Sequence, residues 1–252
     1  MTTNRLVHAV LLAAGTLAVA VAHAAEPSIG AAPLVAPFSA GTPGPTLPAG
    51  WQPVAITDRK RPTEYDLVSN QGIVVLHARA DAAASVVAHR VAFDLRAAPV
   101  VEWRWRIANL IEGADNRVAA QEDSPVRLIF EFDGDKSKLS FGDRAVFMAS
   151  RAASGNELPY ATLMYVWSNT LPIGAVVPNP HTRRVQMVVA ASGASDVGRW
   201  LTLRRNLLED YVRAFGEPPG RLTAVGVLTD TDNTGKQAEA WYGDIRFGSG
   251  ER

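Results

Sequence analysis

The sequence predicts an all-β fold, a two-sheet β-sandwich of jelly-roll type, with one substantial helix near residues 203–215. Three observations predict it. Apolar and polar residues alternate with period two in about ten short segments, as they do in strands buried on one face. Turn-forming clusters such as Asp133-Gly134-Asp135, Ser154-Gly155-Asn156 and Pro178-Asn179-Pro180 separate those segments. Only one stretch shows helical spacing. Many short strands with a single helix is the profile of a sandwich or jelly roll.

In chain order, strands are predicted over Gly72–Arg79 and Ser85–Leu95. The next is the clearest: Val101, Trp103, Trp105 and Ile107 fall on one side, Glu102, Arg104 and Arg106 on the other. Val126, Leu128, Phe130 and Phe132 then alternate with Arg127, Ile129 and Glu131. Arg144–Ala149 and Thr162–Trp167 follow, and Val185, Met187 and Val189 alternate with Arg184 and Gln186. In Leu203–Phe215 the apolar residues Leu207, Leu208, Tyr211, Val212 and Phe215 recur at helical spacing. Gly216 offers a left-handed stop there, and Pro218-Pro219 forbids continuation. Arg221–Leu228 and Ala240–Phe247 complete the strands.

This domain spans residues 51–248. Before it, an apolar run from Leu6 to Ala22 ends in Ala22-His23-Ala24, a small-x-small cleavage signature. Residues 1–24 therefore read as a signal peptide cut before Ala25, and the mature chain as periplasmic or secreted. A single Arg5 points to the general secretory route. Residues 25–50 carry Pro27, Pro33, Pro37, Pro43, Pro45 and Pro48 among small residues. They read as a mobile leader that settles near Phe38 or Trp51.

Composition excludes several classes. The 252 residues carry 25 Lys and Arg against 25 Asp and Glu, with no basic run, which argues against a nucleic-acid partner. After the leader no apolar run is long enough for a membrane span. Without cysteine there are no disulfides, thiolate metal sites or cysteine nucleophile. No Gly-x-Ser-x-Gly elbow, His-Glu-x-x-His or glycine-rich phosphate loop is present. His77, His89 and His181 stand at no metal-ligand spacing, and no cofactor is expected.

Several pieces together resemble a bacterial family of unknown function, DUF3047. They are Val101-Glu102-Trp103-Arg104-Trp105-Arg106, Glu122-Asp123-Ser124-Pro125-Val126-Arg127 and Tyr165-Val166-Trp167. They continue with Arg204-Arg205-Asn206 through Asp210-Tyr211 to Phe215-Gly216. Thr229-Asp230-Thr231-Asp232-Asn233-Thr234 and Trp241-Tyr242-Gly243-Asp244-Ile245 close the set. Glu122-Asp123 stands where paired aspartates would be expected. The resemblance implies an exported single-domain β architecture and supplies no activity.

Three clusters could carry chemistry. Asp230-x-Asp232-Asn233-x-Gly235 offers the oxygen ligands calcium takes and opens like an EF-hand loop. Thr234 then replaces the third acid, and Trp241 stands where the bidentate glutamate belongs. We read it as a hairpin turn whose Asp and Asn side chains bond local backbone, and assign no metal. Second, if the strand of Arg104 and Arg106 pairs with that of Arg127 and Glu131, three arginines and several acids share one sheet face. Such a face is either solvated exterior or a groove in which arginines bind acidic or hydroxylated ligands. Third, six tryptophans suit stacking on sugar rings. Trp103 and Trp105 fall on the core side, whereas Trp167 and Trp241 are the platform candidates.

The expectation is an exported protein binding a glycan or other polyhydroxylated ligand in a charged, Trp-flanked groove. Its contact residues would be Arg104, Arg106, Arg127, Trp167 and Trp241. One alternative is a polysaccharide hydrolase drawing two carboxylates from Asp123, Glu131, Asp230 and Asp232, at the roughly 5–9 Å such pairs need. Another is a cell-envelope assembly protein whose charged face meets a second protein.

Overall fold

Period-two alternation builds both sheets. A computed structural model describes residues 34–57, 59–154, 158–180 and 182–249; the expected signal peptide, residues 25–33 and His181 lie outside the described residues. The strands are β1 (Trp51–Ala55), β2 (Glu64–Asn70), β3 (Ile73–Asp81), β4 (Ala84–Phe93), β5 (Val100–Ile107) and β6 (Ser124–Phe132). After helix α1 (Phe141–Ser154) come β7 (Ala161–Ser168), β8 (Val176–Asn179), β9 (Thr182–Ser192) and β10 (Leu201–Asn206). Helix α2 (Leu207–Phe215), β11 (Leu222–Asp230) and β12 (Gln237–Gly248) complete the chain.

Seven strands form one sheet in the order β1-β4-β11-β6-β7-β9-β8, and five form the other, β10-β5-β12-β3-β2. Among the described residues only the β7–β9 pairing is parallel. The inward faces meet in one core, where Trp103 stacks on Tyr165 with ring centroids 4.8 Å apart and edges onto Trp105. This is the predicted sandwich.

The leader packs against the domain around Phe38. Val35 and Phe38 are buried, Phe38 stacks on Trp51 at 4.6 Å, and the Trp51 indole donates to the Ala36 carbonyl at 2.8 Å.

Two segments correct the strand and helix expectations. Arg144–Ala149, expected as a strand, lies inside α1. Ser140 starts that helix: its Oγ accepts Asp143 N–H at 3.1 Å, an N-cap bond, and its hydroxyl donates to Asp143 Oδ2 at 2.7 Å. Six residues were too short a window to separate the two periods. At 203–215, the helix begins only at Leu207, where Asn206 caps it by accepting Glu209 N–H at 3.1 Å. Leu203 and Arg205 instead pair along β10 with Trp103 and Val101. The C-terminal stop is as expected, with Gly216 at φ 72°.

Candidate functional site

On β5 the inward set Val101, Trp103, Trp105 and Ile107 is buried, which turns Glu102, Arg104 and Arg106 to the outer face of the five-stranded sheet. Antiparallel register then aligns a row across it: Arg106 opposite Trp241, Trp241 opposite His77, His77 opposite Asp66. Leu201 pairs with Trp105, so Trp200 continues the row on the far side of Arg106.

The row is stacked. The Arg106 guanidinium lies 3.8 Å from the Trp241 ring centre and 5.7 Å from that of Trp200, and Arg104 lies 4.7 Å from Trp200. His77 stacks on Trp241 with centroids 5.1 Å apart and planes within 7°. Because β12 lies between β5 and β3, Arg106 and His77 take opposite faces of the Trp241 ring. Each guanidinium–indole contact contributes about 0.5–2 kcal/mol, more where desolvated. Gly243 is required here. A Cβ at that position would stand 2.4 Å from Arg104 Cγ, so only glycine lets the arginine stem lie flat over the β12 bulge.

All the acids of this face but Glu102 are already partnered among the described residues. His77 Nε2 is 2.6 Å from Glu239 Oε1, and its Nδ1 is 3.3 Å from Asp66 Oδ1. Arg79 bridges Glu64 and Asp66 at 3.4 Å, Arg61 pairs with Asp81 at 3.0 Å, and Arg246 with Asp244 at 3.4 Å. Neither Arg104 nor Arg106 has a carboxylate within 4.0 Å among the described residues. Beside the row opens a pocket of about 510 Å³ lined by Arg61, Glu64, Arg79, Asp81, Asn109 and Glu239 among others.

Arg127 is elsewhere. Its strand β6 pairs with β11 and β7 in the seven-stranded sheet, so the shared arginine face expected from pairing β5 with β6 does not form. Arg127 is buried. Its Nε donates to Asp230 Oδ1 at 3.0 Å, Nη2 meets Asp230 Oδ2 at 3.0 Å and also donates to the Glu122 carbonyl. Burial disfavours its charge, but Asp230, Glu122 and Asp123 outweigh that and raise its pKa. Burial pushes the Asp230 carboxyl up to about 6, against the pull of Arg127.

Asp123 holds the turn as a cap. Its Oδ1 accepts Asn233 N–H at 3.2 Å, and its Oδ2 accepts Thr234 N–H at 2.7 Å and the Thr234 hydroxyl at 2.6 Å. Asp232 pairs with Lys60 at 2.7 Å. The three carboxylates lie close enough to share a cation, each offering an oxygen within 4.8 Å of the others. Yet every one of those oxygens except Asp232 Oδ1 already has a protein partner, and two cations of the chain occupy the cluster. The chemistry is that of a buried ion-pair knot closing the β11–β12 turn.

Of the remaining predicted residues, Trp167 is 1% exposed in the core and donates its indole N–H to the Gly193 carbonyl at 3.0 Å. It offers no platform. Glu131 sits on the outer face of the seven-stranded sheet, where burial raises its pKa and Arg90 opposes the rise. The structure therefore joins Arg104, Arg106 and Trp241, and separates Arg127, Trp167 and Glu131 from them. Trp200, His77 and Glu239 complete the row without having been singled out. Alternation on Gly72–Arg79 and on the strand of Trp241 places His77, Arg79, Glu239 and Trp241 on polar sides, a usable signal only once strand order is known.

The family model described as "Protein of unknown function (DUF3047)" matches residues 49–246. No curated protein matches the chain. Similar solved structures include a family 11 carbohydrate-binding module from Clostridium thermocellum in complex with a β-1,3-1,4-mixed-linked tetrasaccharide. It is 8% identical at TM-score 0.40, covering 81% of this chain and 92% of the other. The xyloglucanase domain of NopAA, a type three effector from Sinorhizobium fredii, in complex with cellobiose, is 10% identical at TM-score 0.43, covering 81% and 96%. A family 30 carbohydrate-binding module of the cellulosomal cellulase Cel9D-Cel44B of Clostridium thermocellum is 13% identical at TM-score 0.38, covering 86% and 95%.

Proposed function

The chain belongs to the DUF3047 family, and we propose that it binds a glycan or similar polyhydroxylated ligand outside the cytoplasm. The binding surface is the outer face of the five-stranded sheet. The observation that carries this reading is the pocket of about 510 Å³ whose lining residues Arg79 and Glu239 lie two positions from His77 and Trp241 on β3 and β12. Its lining alternates donors and acceptors: Arg61, Arg79 and Asn109 beside Glu64, Asp81 and Glu239. A sugar presents hydroxyls that both donate and accept, and a lining of mixed polarity satisfies them at short range. With both faces of Trp241 taken, the stack holds Arg106 and His77 in place beside the pocket. Recognition is then by hydrogen bonding more than by ring stacking.

The test is a glycan array probed with residues 25–252, followed by calorimetry on any hit. Glu239→Gln removes an acceptor charge in the pocket, and a hydrogen bond to a charged group contributes roughly 1.5–3 kcal/mol, so affinity should fall about tenfold or more. Glu131→Gln, on the opposite sheet, should leave affinity unchanged. No retained glycan, or equal binding by wild type and Glu239→Gln, contradicts the reading.

A further inference from the structure

Resting on that binding face, we infer that Arg104 and Arg106 form an oxyanion clamp, so that the glycan bound there is acidic. The charge distribution of the face points to it. Glu64, Asp66, Asp81 and Asp244 each have an arginine guanidinium within 3.5 Å, Glu239 has the His77 ring at 2.6 Å, and among the described residues Glu102 alone of the acids on this face has no such partner. The two guanidiniums of Arg104 and Arg106 have no carboxylate within 4.0 Å among the described residues. They are two residues apart on one strand, about 6.6–6.8 Å along it, with both side chains on the same outer face.

Their planes are set by contact. Trp200 lies against both guanidiniums and Trp241 against Arg106, while Gly243 admits the flat stem of Arg104. Stacking covers the flat faces of a guanidinium and leaves its in-plane N–H donors to hydrogen-bond. A planar donor fork matches the two oxygens of a carboxylate or sulfate. Arg106 Nε is buried with no hydrogen-bond partner, so the donors Arg106 offers to an anion are those of Nη1 and Nη2, which are unpartnered among the described residues and not buried. Ordering these side chains beforehand lowers the entropy lost when an anion arrives. Carboxylate and sulfate share this chemistry, and the ligand class is an oxyanion-bearing polysaccharide.

Four polymers separate the outcomes: polygalacturonate, its carboxyl-reduced counterpart, dextran sulfate and dextran. Binding to residues 25–252 is read by calorimetry, on wild type, Arg104→Gln/Arg106→Gln and Arg104→Lys/Arg106→Lys. At least one acidic polymer should bind at least about tenfold more tightly than its neutral counterpart, with affinity falling as salt rises. The Gln pair should abolish that preference and the Lys pair restore it in part, with unfolding temperatures recorded for each. Which acidic polymer binds identifies carboxylate or sulfate. Three results overturn the clamp: neutral polymers binding as tightly as acidic ones, no acidic polymer binding at all, or a folded Gln pair keeping the preference. Tight neutral binding, sensitive to Glu239→Gln, would leave the glycan reading standing without the clamp.

Discussion

The Trp200 indole N–H donates to Asn70 Oδ1 at 3.1 Å, although the two residues belong to opposite edges of the five-stranded sheet. Asn70 ends β2 and Trp200 precedes β10, with β3, β12 and β5 between them. The bond spans the outer face and holds Trp200 over Arg104 and Arg106. Asn70→Ala should cost only about 1 kcal/mol of stability, the ordinary worth of one hydrogen bond. It should nevertheless free the Trp200 ring, seen as faster fluorescence depolarisation, and weaken ligand binding. Unaltered depolarisation would show that the bond does not position the ring.

Arg127 is the cation on which the β11–β12 knot depends. Arg127→Met leaves Asp230 and Glu122 without it in a buried setting, and breaking a buried pair from one side costs about 3–5 kcal/mol. Chemical denaturation should show that loss with the m-value unchanged. A loss below about 1 kcal/mol would place the knot among surface-like ion pairs.

Asp230 gives the knot a pH signature. Its carboxyl is raised from 3.8 to about 6, so the protonated form is favoured in the folded state. The stability this group confers is present below about pH 4 and is lost as pH rises through 6, a change of about 3 kcal/mol at most. Asp230→Asn cannot titrate. Unfolding free energies of wild type minus variant should therefore decline from pH 4 to pH 7, and a difference that grows over that window contradicts the assignment.

Export is proposed from the leader alone. Intact mass of protein recovered from the periplasm or medium should begin at Ala25, and retained Met1 in that material would exclude the cleavage.

Much of the sandwich was legible because burial on one face writes period two into the chain. Val101, Trp103, Trp105 and Ile107 all reach the core, and Gly216 stops α2 where its left-handed propensity indicated. Strand order left no trace in local pattern. β5 and β6 are both charged on one side, yet they lie in different sheets, so grouping Arg127 with Arg104 and Arg106 could not succeed. The pairing of His77 with Glu239 left no mark in sequence because the two are 162 residues apart. Leu203 and Arg205 fit the helical stretch in sequence, but tertiary pairing with β5 held them extended.

The central claim is that ligand binds the outer face of the five-stranded sheet. Backbone amide chemical shifts during titration with an array-identified oligosaccharide test it most directly. The largest changes should fall on β3, β5 and β12 around His77, Arg104, Arg106, Glu239 and Trp241, with Trp200 and its indole N–H included. Changes centred instead on β4, β6 and β11, the outer face that carries Glu131, would contradict it.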